Sequence, residues 1–72
     1  MKIDKSPEID LDNNTIKVSS NIDTDEEVWI TINGMVQIEQ DQITDITDDT
    51  ITIENNLIEE FDDIIVLYTE SE

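Results

Sequence analysis

Val28 to Glu39 reads VWITINGMVQIE, and this stretch decides the fold. Val28, Ile30 and Ile32 alternate with Trp29 and Thr31, the period-2 pattern of a strand with one apolar face. Asn33-Gly34 follows at once, the favoured pair for a two-residue type I′ turn because both positions need positive φ. The chain is therefore expected to fold back into Met35 to Glu39, where Val36 and Ile38 supply the apolar face.

Working outward, Gln42 to Thr47 holds Ile43 and Ile46, and Asp48-Asp49 separates it from Thr50 to Glu54. There TITIE alternates cleanly, so a second hairpin is expected; threonine suits a pleated surface. Asn55-Asn56 breaks the pattern, and Leu57 to Asp63 reads as a loop or a single helical turn that drops Leu57 and Phe61 onto the core. The last strand, Ile64 to Thr69, is apolar on both sides, as strands are when they lie inside a sandwich or against a partner. Upstream, Thr15 to Ser19 is a short strand candidate, and Asn21 to Glu27 reads as an acidic connection. Residues 1 to 14 contain Pro7 and a dense Asp/Asn mixture and read as an extended or flexible arm, leaving residues 15 to 72 as a single β domain. Fourteen isoleucines against one phenylalanine support strands over helices, since β-branched side chains lose χ1 freedom in a helix. The expected fold is a small all-β antiparallel sandwich or compact barrel of five to six short strands.

Composition removes most chemistry. The 72 residues contain no cysteine and no histidine, so disulfides, the usual zinc sites and imidazole-based catalysis are unavailable. Twenty Asp and Glu face three lysines, Lys2, Lys5 and Lys17, for a formal net charge of −17. Direct binding to nucleic acid needs cations that displace counterions from phosphate, and anionic membranes repel such a chain for the same reason. Neither an apolar run of about 18 residues nor a basic-then-apolar leader is present, so synthesis in a cytoplasm is the expectation.

Several carboxylate groupings invite a site. Asp10-x-Asp12-x-Asn14 opens like a calcium loop, but Thr15 and Asn21 stand where that loop requires glycine and glutamate. Asp23, Asp25, Glu26 and Glu27 form another cluster, for which a solvated loop is the default. Glycosidase chemistry needs two carboxylates facing each other across a cleft. Asp48/Asp49, Glu59/Glu60 and Asp62/Asp63 are paired, but a domain of this size has little room for such a cleft. No metal, no cofactor and no enzymatic role are therefore expected.

Trp29 lies opposite the Val28/Ile30/Ile32 face. It reads either as a second-layer core residue or as an interface anchor, a role in which tryptophan is enriched. Leu67 and Tyr68 on the last strand admit the same two readings.

One resemblance joins these elements. Val28, Ile30, Asn33, Gly34, Val36, Gln37, Asp41, Thr50, Ile51, Thr52, Ile53, Leu57, Asp63, Ile64, Val66 and Tyr68 together make a strand, an Asn-Gly turn, a strand, an Asp, an alternating T-I-T-I strand, a Leu, an acidic turn and a strand of I-x-V-x-Y form. This order, over roughly 40 residues, resembles a small β-module of tailed-bacteriophage structural proteins, found in tail fibres, neck appendages and head-fibre or decoration proteins. Gln42, Asp49 and Asp62 stand where that module tends to have an aromatic and two glycines. The resemblance implies a virion component made in the host cytoplasm that attaches to other virion proteins of capsid, neck or tail, in several copies and with homo-oligomers possible. The reading from a different class is an acidic inhibitor, a DNA mimic or anti-defence protein that occupies a cationic nucleic-acid groove.

Overall fold

The computed structural model describes residues 1–71, and it is all-β. Eight strands form among them: β1 (Lys2–Asp4), β2 (Glu8–Asp10), β3 (Thr15–Lys17), β4 (Trp29–Ile32), β5 (Val36–Ile38), β6 (Ile43–Thr47), β7 (Thr50–Ile53) and β8 (Ile64–Tyr68), with one 3-10 turn at Gln40–Gln42. They make two antiparallel four-stranded sheets, ordered β1-β8-β4-β5 and β2-β3-β7-β6. The sheets stack as a sandwich rather than closing into a barrel. Their inner faces meet in a core of Ile16, Val18, Ile22, Val28, Ile30, Ile32, Ile38, Ile51, Ile53, Ile64, Val66 and Tyr68.

The strand count exceeds the expected five to six because Lys2–Asp4 and Glu8–Asp10, within residues 1 to 14, are paired. β1 lies antiparallel on β8 and β2 on β3, so this segment is extended but contributes an edge to each sheet. Pro7 lies in the link between them, where the chain leaves one sheet for the other and no ladder donor is needed. Residues 18 to 23 cross between the sheets a second time. Val18 N donates to Asp49 O and Ile22 N to Asp48 O on one side, and Asp23 N donates to Thr69 O on the other.

Register follows from parity, because a slip of one residue turns every side chain to the opposite face. In the β4–β5 hairpin, Asn33 and Gly34 have φ of 54 and 70, and Met35 N donates to Ile32 O at 3.1 Å, as a I′ turn requires. The ladder nevertheless closes at Ile32↔Val36, one residue later than a two-residue connection allows. A two-residue loop would set Ile30 beside Gln37; the extra residue, Met35, sets Ile30 beside Ile38 and keeps both on the core face. The same arithmetic produces the irregularity in β6. Ile43 pairs with Ile53 and Ile46 with Ile51, and both can point inward only because the register shifts between Ile43 and Asp45. Asp48-Asp49 is a two-residue connection, with Asp48 at φ 54, a conformation that Asp tolerates better than most residues.

Nothing lies within 4 Å of a Cβ built on Gly34, so the demand for glycine there is purely one of backbone conformation. Gly34→Ala is expected to lower stability by about 1–2 kcal/mol with no loss of native contacts, read as a lower urea midpoint at unchanged slope.

Candidate functional site

The two outer faces of the sandwich differ in chemistry. On the β2-β3-β7-β6 sheet, the outward rows run Glu8, Lys17, Thr50, Thr47 and Asp10, Thr15, Thr52, Asp45, a polar surface with charges of both signs. On the β1-β8-β4-β5 sheet, one row runs Ile3, Leu67, Trp29 across three strands and the next runs Ile65, Thr31, Gln37. None of those six side chains is charged, in a chain where 20 of 72 residues are carboxylates. Directly opposed residues share a face and sit close enough to pack, so the first row is a continuous apolar ridge.

Trp29 is 38% exposed at one end of this ridge and Ile3 is 54% exposed at the other, with half-buried Leu67 between them. Trp29 is thus on the surface and not in a second core layer, and Leu67 joins it. Tyr68 does not. It is fully buried among the core residues, because the alternation that turns Leu67 and Ile65 outward turns Ile64, Val66 and Tyr68 inward. Its hydroxyl has no protein partner among the described residues. Tyr68 is therefore corrected from an interface candidate to a core side chain. Ile3 is a site residue that the sequence reading missed: in KID, a single isoleucine between a lysine and an aspartate carries too little pattern to mark a strand.

The acidic groupings are engaged locally. Asp10 Oδ1 accepts from Asp12 N at 3.0 Å and Asn13 N at 3.2 Å, and Oδ2 accepts from Asn13 Nδ2 at 2.8 Å, which closes the β2–β3 turn. These bonds, first that from the Asn13 side chain, hold the carboxyl below its ordinary value of 3.8. A carboxyl lowered on folding stabilises the native state above its unfolded value, and that contribution disappears as pH falls through the folded one. Asp10→Asn is accordingly expected to be less stable than the parent at neutral pH. The gap should close only in acid below pH 3.8, which a series of melts against pH would read. Asp48 and Asp49 sit in the β6–β7 turn, with Asp49 Oδ1 accepting from Thr50 Oγ1. Asp62 is tied to Glu59 N and to Asn33 Nδ2. Among the described residues, no three acidic side chains converge as metal ligands would.

Asn33 has a second role beyond its turn. Its N donates to Asp63 O at 2.7 Å, its Oδ1 accepts from Asp63 N at 2.8 Å, and its Nδ2 donates to Asp62 Oδ1 at 3.1 Å. The β4–β5 turn is thereby laced to the β7–β8 connection. That connection differs from expectation: Leu57 packs half-buried against the core, but Phe61 is 95% exposed.

Comparison with models of known protein families, with curated proteins and with solved structures finds no match. The chemistry of the site rests on its own geometry.

Proposed function

We propose that this chain is a non-enzymatic accessory component of a tailed-bacteriophage virion, of the decoration, head-fibre, neck or tail-attachment kind. In this reading it docks on another virion protein through the outer face of the β1-β8-β4-β5 sheet. The observation that carries the reading is the Ile3–Leu67–Trp29 ridge: an uncharged face on a protein of net charge −17. Contiguous exposed apolar surface is costly to maintain and marks contact sites. Of the residues behind the phage resemblance, Ile30, Ile51 and Val66 lie in the core and Asn33 and Gly34 in a turn, and only Gln37 reaches this face, in its second row; Ile3, Trp29, Ile65 and Leu67 lie outside that set. The module would supply the scaffold, and the ridge would supply this chain's own specificity.

The acidic-inhibitor reading places its contact on carboxylates, and the ridge gives it no use. Quantitative mass spectrometry of gradient-purified particles, washed at high salt, separates the two. Stoichiometric presence is expected, with the copy number indicating the position on the particle. A protein abundant in infected cells but missing from washed particles would overturn the proposal in favour of the inhibitor.

A further inference from the structure

The β7–β8 connection presents an aromatic ring to solvent and holds it there. Phe61 has a φ of 70, an outlier for a bulky side chain, and its ring is 95% exposed. The neighbouring backbone is pinned. Asp62 N donates to Glu59 O at 3.2 Å, Asp62 Oδ2 accepts from Glu59 N at 2.8 Å, and Asn33 grips both Asp62 and Asp63. Strain of this kind persists where the surroundings over-determine it.

Beside the ring lies a cleft of about 180 Å³, lined by Ile9, Leu11 and Ile58 and bordered by Glu59, Glu60 and Asp62. Here the inner layer of the sandwich reaches the surface: Ile9 is the register partner of fully buried Ile16, and Ile9 and Ile58 both pack on the core. Leu11 is 43% exposed at the opening. None of the three lysines lines the cleft.

We infer that this cleft, with Phe61 as its raised wall, is a second docking site, which takes one apolar side chain from a Lys/Arg-flanked segment of another protein. The floor supplies apolar contact, and an opening of this size suits one large side chain, since a cavity of ~150 Å³ accepts benzene. Charge selects the occupant. A second copy would bring its own Glu59, Glu60 and Asp62 against the same three rim carboxylates, whereas a cationic segment meets them favourably. The site shares no residue with the Ile3–Leu67–Trp29 ridge, so it stands or falls apart from the proposed virion role.

The test uses the full chain, isotope-labelled for NMR, and two synthetic probes, the pentapeptides Lys-Lys-Leu-Lys-Lys and Lys-Lys-Ser-Lys-Lys. The leucine peptide is expected to shift the methyl signals of Ile9, Leu11 and Ile58 and the ring of Phe61. It should bind about tenfold or more tightly than the serine peptide, the ratio set by burying one leucine. Phe61→Ala and Leu11→Ser, both at exposed positions and expected to retain the parent's circular dichroism spectrum, should each bring the leucine peptide down to the serine level. Equal affinity for the two peptides with shifts scattered over the carboxylates would overturn the site, as would no shift at millimolar peptide. Dimerisation in ~0.5 M salt, lost in Phe61→Ala, would assign the cleft to a second copy and overturn the cationic occupant.

Discussion

Ile30→Ala is expected to remove most of the folding free energy of the domain. Ile30 is fully buried on β4, with Ile38 of β5 on one side and Val66 of β8 on the other. Truncating a fully buried isoleucine costs ~2–5 kcal/mol, the upper part of the range applying where neighbours cannot collapse into the gap. Strand partners on both sides restrict that collapse. Against this loss, a single core of this size rarely supplies more than ~3–5 kcal/mol. The net charge of −17 repels itself most strongly in the compact state, which reduces the margin further. Urea titration followed by circular dichroism should find a substantially unfolded population in low salt without denaturant. Salt at ~0.5 M should restore part of the native signal by screening the carboxylates. Ile30→Val, at a cost of ~0.5–1.5 kcal/mol, provides the graded control and should remain folded. An unchanged midpoint for the alanine variant would mean that the inner faces do not meet as described.

Where the strands are long enough to show a period, the sequence and the structure agree. WITI, TITI and the terminal IIVLY are strands, the Asn33-Gly34 turn has its positive φ values, and Trp29 lies on the face opposite Ile30. Loop parity corrects the sequence reading: instead of the expected two-residue connection, Ile30 and Ile38 share the core face across an odd loop, and Ile43 and Ile46 share it across a bulge that no local signal marked. Both follow from the spacing of isoleucines once the core face is fixed. Other features were not legible locally. β1 and β2 are three residues each and carry one isoleucine apiece, so their strand character comes from the neighbours they pair with, β8 and β3. In IIVLY every residue is apolar, so composition is silent on which side faces in; the pairing of Leu67 with Trp29 and Ile3 settles it and sends Tyr68 into the core. Phe61 deceived for the opposite reason. A lone aromatic in an acidic loop is read as a core anchor on hydrophobicity alone, while the chain just after it, at Asp62 and Asp63, is held by hydrogen bonds with Asn33, some 28 residues from Phe61 in sequence.

If the ridge is the contact, Trp29→Ala and Leu67→Asp should release the protein from its particle while leaving it folded. Trp29 is 38% exposed and its neighbours on the outer face do not belong to the core, so its truncation costs the fold little. In a desolvated interface the same truncation forfeits a large aromatic anchor, worth ~2–4 kcal/mol at a hot spot, or roughly 30- to 1000-fold in affinity. Leu67→Asp acts by a different route, placing a carboxylate between Ile3 and Trp29, where docking would have to strip its water without a compensating partner. The expected readout is the copy number per particle after a high-salt wash, with thermal melts as the check on folding. Both variants should fall to background, and the parent should stay bound at ~0.5 M salt because the six side chains of the face carry no charge to screen. Neutralising Asp48, Asp49, Asp62 and Asp63 together should leave incorporation unchanged, since none lies on the ridge. The converse pattern, salt release and dependence on those four carboxylates with Trp29→Ala and Leu67→Asp still incorporated, would place the contact on the acidic edges and leave the uncharged face without a partner.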